Sequence, residues 1–363
     1  MLNHAIQRCV TIGAIVATTA FSGQQPANAR DEASRTNKEK VRQLNRGELL
    51  AAAKTWMYQI DELDTSGAVD ALAASSYPLL VLESGINDRG ADKVVVRQLV
   101  ERLRKLPDGR PRLLLAYLDI GQAEKYRAYW KKDWQAPTRQ DSGKPDFLLA
   151  RDPDGWNGSY QVAYWDQRWQ DIWLGTNGVI ARLASLGYDG IYLDWIDAYK
   201  DPQVILAAKR AGVDPALEMI QFIDRLGQAG RRLSPGFLII AQNAAELIDA
   251  APERYAKIIN GLAVEDTWFY GKGGAKWNNP KAGDLSHQDE DQDWTPTKRI
   301  AWYHKYLERG LPVFTVDYCV SEQNAALVYK QATAAGLRPL VTRVSLSQMT
   351  VTPPEKYLPR AEK

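Results

Sequence analysis

A (β/α)8 barrel is the fold that this sequence predicts, on three observations. Eight short apolar runs recur along the chain, amphipathic segments long enough to be crossover helices lie between them, and glycines close several of those segments. Continuous alternation of this kind implies parallel strands covered by helices, and eight units in about 300 residues are the size of one barrel. An open doubly wound sheet is the competing arrangement, but no glycine-rich phosphate loop follows the first run.

The elements follow in order. The chain opens with MLNHAIQRCVTIGAIVATTAFSGQQPANAR: Arg8, an apolar run from Cys9 to Phe21, then Ala27-Asn28-Ala29. That is the order of a secretory signal, so cleavage is expected after Ala29 and the product in the periplasm or outside the cell. The run falls short of the ~20 residues that a spanning helix needs, which leaves an uncleaved anchor as the alternative and no integral membrane span in the mature chain. Residues 30–48, charged and poor in large apolar groups, are expected to be a solvated lead-in. The barrel is expected over 49–363.

Its strands are predicted at Thr55–Ile60, Tyr77–Glu83, Arg112–Asp119, Gly190–Asp194, Gly236–Asn243, Gly261–Asp266, Leu311–Asp317 and Leu337–Val344. Helical periodicity marks Asp92–Leu106, Asp166–Leu186, Pro215–Ala229, Pro296–Arg309 and Glu322–Ala335, with Gly187, Gly230, Gly310 and Gly336 at their C-terminal ends. Two connections are long, Lys131 to Tyr164 after the third strand and Tyr270 to Trp294 after the sixth. Both fall on the side of the strand C-termini, where long loops in a barrel are usually functional.

Composition narrows the chemistry. A formal net charge of +2 on 363 residues gives no reason to expect nucleic acid or an acidic membrane surface as partner. Twelve Trp and 17 Tyr stand against 3 His and 2 Cys, so soft metal ligands are scarce. Cys9 leaves with the signal, which strands Cys319 without a disulfide partner. No metal or cofactor is expected, and the chain is expected to act as a monomer.

Acids close the strands: Glu83, Asp119, Asp194, Glu265-Asp266 and Asp317, with Gln242-Asn243 ending the fifth. Polar residues begin loops anyway, but acids at this frequency on one rim suit acid/base or oxocarbenium chemistry. Asp119 and Asp317 have an alternative reading as helix caps or partners of an arginine. Strand alternation sends Asp266 to the side opposite Glu265 and puts Tyr192 on the side of Asp194. Asp189 and Asp197 read as turn or hydrogen-bonding residues flanking the fourth strand.

Five blocks then carry a resemblance. LLAYLDIGQAEKYRAYW at 114–130, GYDGIYLDWIDAY at 187–199, FLIIAQNAAEL at 237–247, GLAVEDTWFYG at 261–271 and PVFTVDYC at 312–319 together resemble glycoside hydrolase family 114, the endo-α-1,4-polygalactosaminidase family. The resemblance implies a secreted (β/α)8 enzyme that cleaves within a galactosamine-containing polysaccharide, with Asp194 and Glu265 as the catalytic pair. Asp119 departs from the pattern, standing where many relatives have serine. Retention is expected, with Asp194 as nucleophile and Glu265 as acid/base. Glu83, Asp119, Glu124, Tyr192, Asp197, Gln242, Asn243 and Asp317 are expected to contact substrate. Trp156 and Trp277, set among turn formers, are expected to be exposed faces for sugar rings, whereas Trp169 and Trp173, four apart on a helix, read as core.

Rival classes are weaker. A metal-dependent deacetylase would want spaced His and Asp ligands, yet only His287 and His304 follow the signal. An esterase would want a Gly-x-Ser-x-Gly elbow, which is missing. A non-catalytic polysaccharide-binding barrel would have no use for both Asp194 and Glu265.

Overall fold

The computed structural model describes residues 45–84, 96–286 and 294–358. The expected signal at 1–29 and residues 30–44 lie outside the described residues, as does His287. Eight parallel strands form the central sheet: β1 Met57–Gln59, β2 Leu79–Glu83, β3 Leu113–Asp119, β4 Gly190–Asp194, β5 Leu238–Gln242, β6 Gly261–Glu265, β7 Val313–Tyr318 and β8 Arg338–Thr342. They lie side by side in chain order and curl into a nearly closed (β/α)8 barrel. At the seam between β8 and β1, Ile60 N and Asp61 N donate to Leu346 O at 3.1 and 3.2 Å, and Trp56 Nε1 donates to Arg338 O at 3.0 Å.

The helices are α1 Arg46–Ala52, α2 Ala68–Ala74, α3 Val96–Leu103, α4 Gln167–Leu174, α5 Val179–Leu186, α6 Pro202–Ala211, α7 Pro215–Leu233, α8 Pro252–Ile258, α9 Pro296–Leu307 and α10 Glu322–Ala334. Local chemistry sets their starts. Asp201, Asp214 and Thr295 each precede a proline and accept the first free backbone N–H groups of α6, α7 and α9. Among the described helices, none is long and apolar enough to cross a membrane.

Several expectations need correction. The single helix expected over Asp166–Leu186 is two, because Gly175 ends α4 and Gly178 begins α5. Gly187, Gly310 and Gly336 do take the left-handed conformation, but Gly230 lies inside α7, where its missing side chain makes room for Phe237. Helix α6 lies outside the helical segments expected above. The connection after β3 contains a three-stranded antiparallel sheet of Gln122–Glu124, Ser159–Val162 and Leu148–Arg151. Helix α1 also begins inside the segment expected to be solvated: Arg46 is buried, with Nε 2.9 Å from Asp189 Oδ1 and Nη1 2.7 Å from Ser234 Oγ.

Aromatic rings fill the barrel. Tyr58 and Tyr192 lie with centroids 5.1 Å apart, and Trp56 meets Phe314 edge-on at 5.6 Å. This packed layer is the floor on which the strand C-termini hold their side chains.

Candidate active site

A cavity of about 1440 Å³ opens at the C-terminal ends of the strands. Among the expected residues, Asp194, Glu265, Glu83, Asp119, Glu124, Asp197, Asn243, Trp156 and Trp277 line it; Tyr192, Gln242 and Asp317 do not.

Asp194 ends β4, and the chain turns at once through Trp195, whose φ is +55°. Trp195 N donates to Asp194 Oδ1 at 2.7 Å, and Tyr117 OH, from β3, donates to Oδ2 at 2.6 Å. Burial and then the charge of Glu265 push the Asp194 carboxyl up to about 8, against the opposing pull of those two donors.

Glu265 ends β6, and Asp266 turns the chain there with φ +58°. Three side chains donate to the Glu265 carboxylate: Tyr318 OH to Oε1, Gln242 Nε2 to Oε2 at 2.5 Å, and Asn243 Nδ2 to Oε2 at 3.1 Å. Asn243 Oδ1 also accepts Glu265 N at 3.0 Å, and Arg299 holds the carbonyls of Glu265 and Asp266.

The remaining acids divide by what occupies them. Asp119 is 3% exposed and its Oδ1 accepts Gly121 N and Gln122 N, so it caps its own turn as well as lining the cavity. That turn needs glycine at 121, since a Cβ there would overlap the carbonyl oxygen of Trp195. Burial and the charge of Glu124 raise the Asp119 carboxyl. Glu83 and Glu124 are taken up by the buried Arg127, at 2.6 and 2.7 Å. Asp197 makes no such pair; burial raises its carboxyl, with Lys200 opposing. The wall carries far more carboxylates than cations, and of Arg127, Lys200, Lys276 and Arg299, the first is spent on Glu83 and Glu124 and the second pairs with Glu246 at 2.5 Å.

Four expectations change here. Tyr192 does share the side of Asp194, but it lies in the floor and its buried OH has no partner. Gln242 acts through Glu265 and does not touch the cavity. Asp317 is fully buried behind it and does not line the cavity, accepting Trp268 N and Phe269 N at 2.6 and 2.9 Å, so it anchors the loop after β6; burial pushes it up to about 6. Trp277, expected to be exposed, is 7% exposed, with Arg343 over its ring at 5.2 Å; one edge lines the cavity. Trp156 is 54% exposed, its Cζ2 3.6 Å from where a Cβ on Gly273 would lie.

Sequence reasoning missed Tyr117, Tyr318, Arg127, Arg299 and the placement of Asp266. Tyr117 was the most legible: it sits two residues before Asp119 on one face of β3 and pairs in register with Tyr192. Asp266 was excluded by alternation, which ends where the strand ends; its left-handed turn brings it to the cavity beside Glu265. Among the described residues no three His, Cys, Asp or Glu side chains are grouped to hold a metal ion, and His304 is exposed on α9.

A parallel barrel with two carboxylates facing one another's field across an acid-rich cleft defines the class: this is a glycosidase. The sequence model of glycoside-hydrolase family GH114 matches residues 36–357, and the chain belongs to that family. An uncharacterized protein of Deinococcus radiodurans is 35% identical over 243 residues, covering 67% of this chain and 68% of the relative. One of Thermotoga maritima is 31% identical over 218 residues, covering 59% and 60%. Among solved structures, the glycoside hydrolase domain of PelA from Pseudomonas aeruginosa superposes with TM-score 0.55 at 18% identity, covering 82% of this chain and 98% of that one. The Aspergillus fumigatus Ega3 complex with galactosamine gives TM-score 0.54 at 15% identity, covering 82% and 94%. At these identities the likeness is one of fold.

Proposed function

We propose that this chain is a secreted, endo-acting hydrolase of a galactosamine-containing or related amino-sugar polysaccharide, working as a monomer through Asp194 and Glu265 with retention of the anomeric centre. The observation that carries the reading is the pair itself: two acids on one cavity wall, Asp194 with a carboxyl raised by burial and by the charge of Glu265, and Glu265 accepting hydrogen bonds from three side chains. Glycoside hydrolysis works through a pair of carboxyl groups. The excess of carboxylates around them suits a polymer that carries ammonium groups, and the galactosamine named in the Ega3 complex is a sugar of that kind.

Burial and the charge of Glu265 raise the Asp194 carboxyl, a direction that suits a proton donor more than the nucleophile that side-chain length suggests. A 5-fluoro glycosyl fluoride of the amino sugar would trap the attacking carboxylate for mass spectrometry. A label on Asp194 supports it as the nucleophile, and a label on Glu265 exchanges the two roles.

The reading is tested by release of reducing ends from partially deacetylated galactosamine polymer, with the anomer formed first followed by NMR. Binding without release would return the chain to the non-catalytic class, and first appearance of the opposite anomer would exclude the covalent route. Secretion rests on the N-terminal pattern, and sequencing the N-terminus of protein recovered from outside the cytoplasm should read from Arg30.

A further inference from the structure

Tyr58 on β1, Tyr117 on β3, Tyr192 on β4 and Tyr318 on β7 stand around the acid pair. Tyr117 is spent on Asp194 at 2.6 Å, and Tyr318 on Glu265. Tyr192 is sealed in the floor and does not reach the cavity. Tyr58 differs from all three. It lines the cavity, yet the donors on the two carboxylates are Tyr117, Trp195, Tyr318, Gln242 and Asn243, and Tyr58 is not one of them.

Strand alternation points Trp56 and Tyr58 to one side, and their rings stack inside the barrel with centroids 6.1 Å apart. Tyr117 at 6.2 Å and Tyr192 at 5.1 Å complete the clamp on the Tyr58 ring. The ring reaches across the barrel, and its hydroxyl ends beside the side chain of Gln242. Gln242 closes β5, the strand that lies between β4 and β6 in the sheet. The hydroxyl is therefore set on the midline between Asp194 and Glu265. Burial first, then Tyr192, Glu265 and Asp194, push the phenol well above its ordinary range, so it serves as a donor and not as a base. Gln242 Oε1 accepts no hydrogen bond and does not take that proton. Phenylalanine would pack the same ring, and a hydroxyl without an acceptor is a cost in a folded protein. The acceptor that justifies it has one open route, through the cavity.

We propose that Tyr58 is a further catalytic residue, whose O–H donates to an oxygen of the sugar unit lying between Asp194 and Glu265 and so orients that unit for attack at its anomeric carbon. This rests on the hydrolase reading above. A neutral donor suits a hydroxyl or ring oxygen of the sugar, which the carboxylates around it cannot serve as donors while they are charged. A ring clamped on three sides holds that donor in place before substrate arrives, which is the condition for orientation to lower a barrier.

The test is Tyr58→Phe, which keeps the ring and removes only the hydroxyl, assayed by reducing-end release from partially deacetylated galactosamine polymer across a range of pH. Its kcat/KM should fall about tenfold or more, as for loss of one preorganised donor. The melting temperature should hold, and both limbs of the pH–rate profile should stay where the wild type has them. An unchanged kcat/KM would overturn the contact and leave the hydrolase reading standing. A loss of rate in which either limb moves would also overturn it, since Tyr58 would then act through Gln242 and Glu265 and not on the sugar. A wild-type chain that releases no reducing ends would bring down the hydrolase reading and this inference with it.

Discussion

The ends of β4 and β6 are built to one plan and finish differently. Each closes on an acid, turns at once through a left-handed non-glycine residue, and receives a tyrosine hydroxyl from a neighbouring strand, Tyr117 for Asp194 and Tyr318 for Glu265. Beyond that, Glu265 gains two amides from the end of β5, whereas Asp194 gains only the backbone N–H of Trp195. The fold therefore places both acids by the same device and surrounds them with different hydrogen-bond partners.

The largest expected effects would break the pair outright. Asp194→Asn and Glu265→Gln should each fold and lose about 10²–10⁴-fold in turnover of polymer, measured as reducing ends released. An aryl glycoside with a good leaving group sharpens the contrast, because the variant lacking the acid should recover much of its rate on it, and the variant lacking the nucleophile should not. Near wild-type activity in either variant would remove that residue from the mechanism.

A second test separates the two ends by stability. A carboxyl whose folded value lies at about 8, above its unfolded value, binds more protons in the folded state, so its contribution is present below pH 4 and is lost as pH rises through 8. Asp194→Asn should therefore melt higher than wild type at pH 8 and no higher at pH 4, by roughly 2–4 °C for each kcal/mol recovered. Tyr117→Phe removes a donor to the charged form of Asp194 and should push that carboxyl higher still. The basic limb of the pH–rate profile should move up in a variant of otherwise normal fold; a limb that stays put would assign it to another group.

Smaller effects contrast the two long loops. Trp156→Ala should weaken polymer binding by about 0.5–1.5 kcal/mol with little change in melting temperature, as befits a ring 54% exposed. Trp277→Ala should instead cost about 3–5 kcal/mol of stability, because that ring is buried against Arg343. Reversal of the two outcomes would exchange their roles. The smallest expected effect is none: exhaustive chelation should leave the rate unchanged, and abolition restored by one divalent ion would overturn the metal-free mechanism.

How far the sequence could be read follows from which forces are local. Every barrel strand was legible because a buried parallel strand is a continuous apolar run, and each of the eight lies within its expected bounds except β7, which extends one residue further to Tyr318. Helix α6 was not, since the Asp201-Pro202 start signal sits only five residues from the β4 turn and reads as loop. Alternation predicted the shared side of Tyr192 and Asp194 correctly and failed for Asp266, because period two applies only while the chain stays extended. Trp277 misled for a related reason: glycine and asparagine neighbours signal a turn, but burial of the ring is decided by Arg343, 66 residues away. Donor networks such as Gln242 and Asn243 on Glu265 join residues 22 and 23 positions apart, and no local pattern announces them.

The Arg46 bridge to Asp189 ties the two ends of the story together. Asp189 begins the strand that ends at Asp194, and its other oxygen accepts Leu114 N at 3.0 Å, at the start of the strand that brings Tyr117. Arg46 thus latches the far pole of the barrel beneath Asp194 and the tyrosine that bonds it. This latch limits how far the N-terminus can be shortened: a chain that begins at Arg30 keeps it, whereas one that begins at Leu49 lacks Arg46 and takes the ion-pair partner from Asp189. Loss of one partner from such a buried pair costs about 3–5 kcal/mol, enough to make survival of a shortened chain, measured by its melting temperature, a map of where proteolytic processing must stop.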